Sequence, residues 1–495
     1  MHPIGYTALK RLYGLPDYPH HVVSYIVPSA RRTVDNQEYY PPAYQPEETL
    51  AGHLEFALKY EGINLALLHA LFQVVDGAEL IAYIQGRPNG IHTRRAWYLY
   101  EFLTGRELEV SDLQSTCGYV DLLDPNEYVA RSGVRLPRYR VRNNLLGTRE
   151  FCPVVRRTPL LQEYSWERLK NDAEEVVRAY DPETVSRAIS YLYTKETRSS
   201  FAIEHETPSA SKMERFGQAL QTVKSYPVLD RQALLELQGI VLDERAAATD
   251  YRTEQNYVGE TLGSREFVHF ISPRPTDVPA MMAGLFEFCR NSAAIDPIVA
   301  AAVASFGFVF IHPFDDGNGR IHRYMIHHFL ANRAVTPAGT IFPVSATMLN
   351  NRREYDACLE SFSGAIMPLI NYQMSDDFAI DVLNDTADLY RYFDATRMCE
   401  YLYECVRKTI DNELRAELET LAAFDRARSA LDAAFDLPER KKNLLLKLCW
   451  QGRGMISATK RASHFSEYSD EEMAAMVSVV APFFRHENNG SGMAK

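Results

Sequence analysis

Apolar residues recur at helical spacing along most of the chain. In LAGHLEFALKYEGINLALLHALFQVV (50–75), Leu54, Ala57 and Leu58, then Leu65, Leu68, Leu71 and Phe72, fall on one side of a 3.6-residue period and predict one amphipathic helix. A second helix is predicted up to Gly105. Helical text returns at 166–180 and 182–206, then at 228–244 and 277–292. The run DPIVAAAVASFGFVFI (296–311) is apolar on every side. Its apolar part is too short to span a bilayer, so a buried helix is expected. Strand signals are confined to NYVGETLGSREFVHFISPRP (256–275), a β-hairpin with a Gly-containing turn and proline stops. The fold class is therefore mainly α, with one short hairpin between helical segments.

The breaks in this pattern divide the chain. A mostly helical N-terminal domain is expected over 1–165, a helical segment over 166–227 and a core over 228–372. A C-terminal helical domain is expected over 373–495, ending in a polar, disordered tail at 486–495. The section 438–473 is basic and then acidic. It reads as a small helix-turn-helix or winged unit, or as a three-helix packing cap with a solvated basic face.

Composition narrows the class. A chain of 495 residues, 46% hydrophobic and 24% charged, can bury several cores. A net charge of −12 argues against a dedicated nucleic-acid or membrane-surface binder and leaves DNA a minor alternative. The first residues lack a continuous apolar stretch, and the seven cysteines form no CxxC pair. Reduced thiols and a cytoplasmic location are the expectation, with no membrane partner.

The chemistry concentrates in one stretch, His312-Pro-Phe-Asp-Asp-Gly-Asn-Gly-Arg-Ile-His-Arg323. It joins the buried helix to the next one, so it is a loop entering a helix N-terminus, where unpaired N–H groups and the dipole favour anions. Gly317 and Gly319 permit close backbone approach to phosphate. Asn318 offers an amide donor. Arg320 and Arg323, three apart, share a helix face and suit a polyphosphate. Asp316 supplies the hard oxygen that Mg²⁺ on phosphates prefers. His312, at the loop entrance, titrates near neutrality and suits general base work. Phe314 is expected to anchor the loop in the core. His322, His327 and His328 do not share a face in the way a metal site needs. The pattern implies attack by a hydroxyl on phosphorus at a metal-assisted phosphate site.

This stretch resembles the Fic motif, HxFx(D/E)GNGRxxR, with every specified position filled. The resemblance covers about 228–372, and 1–225 also resembles the N-terminal part of some bacterial Fic proteins. It implies AMP transfer from ATP to a Ser, Thr or Tyr hydroxyl of a target protein and of the chain itself. His312 would be the base and Asp316 the ligand of Mg²⁺, with Mn²⁺ as an alternative. Gly317, Asn318 and Gly319 would form the anion cradle, and Arg320 and Arg323 would hold phosphates. The hairpin at 257–273 would be the flap that aligns the target segment by strand-like pairing. Tyr355 stands where the family has an aromatic near the adenine, or is an ordinary packed tyrosine.

Ser200-Phe-Ala-Ile-Glu204 resembles the family's inhibitory helix, (S/T)xxxE(G/N). Its Glu would reach Arg323 and block the γ-phosphate. Position 205 departs from the pattern: His stands where the family has Gly or Asn, which implies a helix that runs on and mis-aims Glu204. Doc-type relatives, which phosphorylate, carry Lys at the second motif glycine, and Gly319 argues against that. Transfer of UMP or another nucleotide, and a nucleotide-sensing DNA-binding regulator, are the alternatives.

Overall fold

The computed structural model describes residues 1–114, 116–225, 229–242, 247–263 and 265–485. The tail expected at 486–495, the boundary expected at 227/228 and the ends of the helix expected over 228–244 lie outside the described residues.

The predicted 50–75 helix is broken. Leu50–Phe56 runs through a wide turn, Ala57–Glu61, and stops at Gly62, whose φ is +85°. A Cβ there would lie 2.1 Å from the Tyr128 hydroxyl, which accounts for the glycine. A new helix, Leu65–Val74, begins at the Asn64 cap, whose Oδ1 accepts from Leu67 N at 3.0 Å. The apolar spacing resumes nearly in phase after the break, so periodicity alone cannot show it. The helix Ile91–Thr104 ends at Gly105, as expected, with a left-handed cap.

The N-terminal part also holds more strand than its pattern predicts. His2–Ile4, Val23–Ile26, Gln37–Tyr40 and Arg32–Val34 form a four-stranded sheet in that order. Val120–Asp121, Val141–Asn143 and Val134–Leu136 form a three-stranded one. These strands are two to four residues long and carry few buried apolar side chains, too few for a period of two.

The elements around the motif are numbered here in chain order: α1 (Pro182–Ile203), α2 (Arg231–Val241), the hairpin β1 (Tyr257–Leu262) and β2 (Arg265–Ile271), α3 (Val278–Asn291), α4 (Pro297–Ile311), α5 (Asn318–Asn332) and α6 (Val344–Asn350). Every residue of α4 except Val309 is buried. Asp296 caps it by accepting from Ile298 N at 2.8 Å and Val299 N at 3.1 Å, with Pro297 in the first turn. Helices α3, α5 and Thr396–Lys408 pack around α4. One hydrophobic core runs from this centre through α1 and α2.

The C-terminal helices bury a separate core of Ala427, Leu431, Leu445, Phe465, Met473 and Met476. After Val382 the described residues contain no strand, so no wing is present among them. Lys441, Lys442 and Arg461 pair with Glu467, Asp432 and Asp470, and the helix Asp470–Val480 opens with three acids and a capping box. Three of its basic residues are thus paired with acids. No disulfide joins any of the seven cysteines. Among the described residues no single helix is long and apolar enough to cross a membrane.

Candidate active site

His312 ends α4 in a left-handed conformation, φ 52° and ψ 58°. A non-glycine residue held there is strained by roughly 1–2 kcal/mol, so the surroundings must hold it. They do so on several sides. Its N–H donates to Phe308 O at 2.9 Å and its Nδ1 lies 3.1 Å from Val309 O. Donation from Nδ1 fixes the tautomer and leaves Nε2 as the basic nitrogen. Burial pushes the imidazole down to about 4, with the Arg252 cation adding to it and Glu204 and Asp316 opposing it. The ring is therefore neutral at pH 7.

Phe314 is fully buried and packs near Tyr251 and Phe308. Asn318 takes a different part from the one its amide suggested. Its Oδ1 accepts from Phe314 N at 3.1 Å and its Nδ2 donates to Phe314 O at 2.7 Å. The amide bridges both backbone groups of one residue and braces the loop from inside. Gly317, with φ +93°, turns the chain into α5.

The loop's outer face carries the charges. The Asp316 carboxylate accepts from Gly317 N at 2.5 Å and from Arg320 Nη2 at 2.8 Å, and it remains two-thirds exposed. Arg323 is wholly buried. Its Nε donates to Ser200 Oγ at 2.9 Å, and its Nη2 donates to Ser200 O at 2.7 Å and to Glu204 Oε1 at 2.8 Å. Glu204 also lies against the first turn of α5: a Cβ on Gly319 would sit 2.1 Å from Glu204 Oε1. The carboxylate thus lies against the N-terminal turn of α5. Burial alone would raise its pKa, but Arg323, Arg320 and His312 outweigh that and hold it below the usual carboxylate range.

His205 does not let α1 run on. It adopts φ 56°, the left-handed geometry that Gly or Asn would supply. Glu206 N donates to Phe201 O and His205 N to Ala202 O, both at 3.1 Å, which closes the helix as a Schellman motif. That turn brings in a residue that no motif marks. Glu206 pairs with Arg320 Nη1 and, at 2.8 Å, with Lys212. Both motif arginines therefore face a carboxylate from 204–206. Arg323 Nη1 and Arg320 Nε stay buried without a hydrogen-bond partner, which fits a site shaped for more acceptors than the protein supplies.

Tyr355 lies in the core, its ring 6.2 Å from and nearly parallel to His322. Burial pushes its phenol up to about 12, opposed by the nearby Arg323 cation. It backs that arginine. His322 Nδ1 donates to Ser305 O at 2.8 Å, and His327 pairs with Glu196. Among the described residues no three His, Cys, Asp or Glu side chains form a metal cluster. One carboxylate on the rim, Asp316, is what a phosphate-bound Mg²⁺ requires of a protein, so the donor set fits that ion.

The β1–β2 hairpin is antiparallel with an irregularity at Val258/Gly259, and pairs with no third strand among the described residues. Phe270 brings its base within 6.5 Å of the His312 ring. Residues 228–330, which include the hairpin and the whole motif, match the Fic/DOC family. The chain carries a Fic/DOC domain.

Relatives share this part. The chain is 32% identical over 124 residues to the protein adenylyltransferase fic-1 of Caenorhabditis briggsae, covering 24% of this chain and 21% of that one. It is 32% identical over 144 residues to the protein adenylyltransferase Fic of Culex quinquefasciatus, covering 28% and 24%. The chain thus spans about a quarter or less of the length of these relatives. It is also similar to the crystal structure of a Fic-domain-containing signaling protein from Bacteroides thetaiotaomicron, with a TM-score of 0.37 and 19% identity over 51% of this chain and 96% of that one.

Proposed function

We propose that the chain is a protein adenylyltransferase that moves AMP from ATP to a Ser, Thr or Tyr hydroxyl, including its own, and that Glu204 restrains it. One observation carries the reading: a neutral histidine with its basic nitrogen free stands at the mouth of a helix N-terminus flanked by two buried arginines. The names of the relatives that share this stretch support the same reaction.

In the proposed step His312 Nε2 takes the proton of the target hydroxyl. The hydroxyl oxygen forms a bond to the α-phosphorus, the α–β bridging bond breaks, and pyrophosphate leaves with the electron pair. Backbone N–H groups at Gly317–Gly319 and the guanidiniums of Arg320 and Arg323 hold the phosphates in line. Asp316 would hold a Mg²⁺ ion, which would supply positive charge beside the phosphates. The hairpin presents an open strand edge to the target segment. Glu204, on Gly319 and Arg323, stands where an outer phosphate belongs, so bound ATP is turned away from in-line geometry.

Incubation with ATP labelled at the α- or γ-phosphate tests the reaction. Protein label from the α position alone is expected. Label from the γ position alone would mean phosphorylation and overturn the reading.

A further inference from the structure

We propose that Arg252 is a positioning residue that sets the catalytic histidine and the target-aligning hairpin as one unit. Arg252 is 4% exposed, and the Asp315 charge offsets only part of the cost of burying the cation. Its donors go to three backbone carbonyls from three separate segments. Nε donates to His312 O at 2.8 Å, Nη1 to Glu254 O at 2.9 Å, and Nη2 to Pro273 O. Its own backbone N–H donates to Pro313 O at 2.9 Å.

Those carbonyls are not arbitrary. Glu254 lies just before the hairpin and Pro273 just after it, so the guanidinium clamps both ends of β1–β2. His312 is the strained left-handed residue whose ring is the base, and its carbonyl direction is fixed with its φ and ψ. Asn256 adds a second tie, donating from Nδ2 to Phe314 O at 3.2 Å. A buried cation is costly unless its donors are satisfied, and a planar fork is the side chain that satisfies three carbonyls in fixed directions. Lysine has a point charge on a flexible stem and cannot hold three such directions at once. A fully apolar residue would fill the space but release all three segments. The geometry therefore assigns Arg252 to alignment: it touches neither the phosphates nor the motif arginines, but it couples the base to the strand that presents the hydroxyl.

This inference rests on the AMP-transfer reading, and its test separates the two. Arg252→Gln and Arg252→Lys are placed in a Glu204→Gly background and compared with Glu204→Gly alone. Three quantities are measured: the rate of self-labelling from α-labelled ATP at saturating ATP, the ATP dissociation constant and binding stoichiometry by calorimetry, and amide hydrogen exchange over 254–273 and 312–317. Misplacement of a reacting group by about 1 Å costs on the order of 10²-fold. Arg252→Gln should therefore lose about that much rate, with ATP affinity within about threefold and stoichiometry unchanged, and Arg252→Lys should recover only part of it. Exchange should rise in both segments together. A merely structural arginine would lower stoichiometry and rate in parallel. If Arg252→Gln keeps its rate, or loses ATP binding as it loses rate, the proposal is overturned. If Arg252→Gln does not fold, Arg252→Lys decides it: full rate or unchanged exchange overturns the proposal. No α label in the Glu204→Gly parent overturns the AMP-transfer reading itself, and this inference with it.

Discussion

Removing the Glu204 carboxylate should raise transfer, and the structure sets the scale. The carboxylate accepts from Arg323 Nη2 at 2.8 Å; the arginine side chain is 1% exposed and the glutamate side chain 36%. A charge-assisted hydrogen bond is worth roughly 1.5–3 kcal/mol, and the exposed part of Glu204 places this one in the lower half, about 1.5–2 kcal/mol. At about 1.4 kcal/mol per tenfold, the productive arrangement of ATP gains about 10- to 30-fold when Glu204 becomes glycine. Glu206 still pairs with Arg320 in that variant. Because that glutamate is partly exposed and shared with Lys212, adding Glu206→Ala should give a smaller further rise, on the order of threefold. The assay is incorporation of α-labelled ATP into protein by the native chain, Glu204→Gly and the double variant at equal concentration and saturating Mg²⁺. A Glu204→Gly variant no faster than the native chain would show that the carboxylate does not compete with phosphate, and the inhibitory assignment would fall.

His312→Ala should lose about 10²–10⁴-fold in transfer while calorimetry still records ATP binding, because the phosphates are held by other groups; near-native turnover would refute the base assignment. Asp316→Ala should demand far more Mg²⁺ or abolish transfer, whereas Asp315→Ala, on an exposed position outside the phosphate face, should change little; equal losses in a Mg²⁺ titration would contradict that division. Acid should destabilise the fold, because burial pushes His312 and His328 down to about 4 and His322 to about 3. The unfolded chain then binds more protons, so stability is full above about pH 6.5 and is lost as pH falls toward about 4. Glu61, pushed up to about 7 by burial, works in the opposite sense with Asp296 and Glu417, which burial also raises, but His20, His21 and His92 are pushed down as well and keep the balance with the histidines. Urea midpoints at pH 7.5, 6 and 5 should fall in that order, and a constant midpoint would refute the argument.

The parts of the site that were legible in the sequence are local. The apolar run 298–311 marks α4 because a helix buried on all sides needs no polar face, and the loop after it is legible because Gly, Asn and Arg stand at fixed offsets. Ser200 and Glu204 could be paired because four residues is one helical turn. The partners that come from elsewhere in the chain were not legible. Arg252 lies 60 residues from His312 and Glu206 lies 114 from Arg320, and neither residue type is unusual in loop text. His205 departs from the expected course for a reason of energy. A side chain in the left-handed region costs only about 1–2 kcal/mol, which the paired carboxylates on either side can offset, so the helix stops where glycine would have stopped it. Asn318 shows the reverse: a side chain typed for a ligand also braces its own loop, through both backbone groups of Phe314.

The same geometry constrains how the proposed inhibition could be lifted. Glu196, Ser200 and Glu204 follow at four-residue intervals along α1 and all turn toward α5 and α6. Glu196 is fully buried. Its Oε1 lies 2.7 Å from His327 Nε2 and also accepts from the Ser345 hydroxyl, while its Oε2 accepts from Ser345 N at 2.9 Å. Pulling α1 away would leave that carboxylate unpaired in the core, which costs roughly 3–5 kcal/mol before any apolar contact is lost. Glu204, at the last turn, is held by one donor and is partly exposed. Arg352 Nη1 fixes the carbonyl of Ile203 just before it, at 2.8 Å. The cheap motion is therefore a swing of the 204–206 turn about that fixed carbonyl, with the helix left in place. A ligand or partner that activates this chain need only outcompete two surface-facing carboxylates for Arg323 and Arg320, and has no helix to unpack.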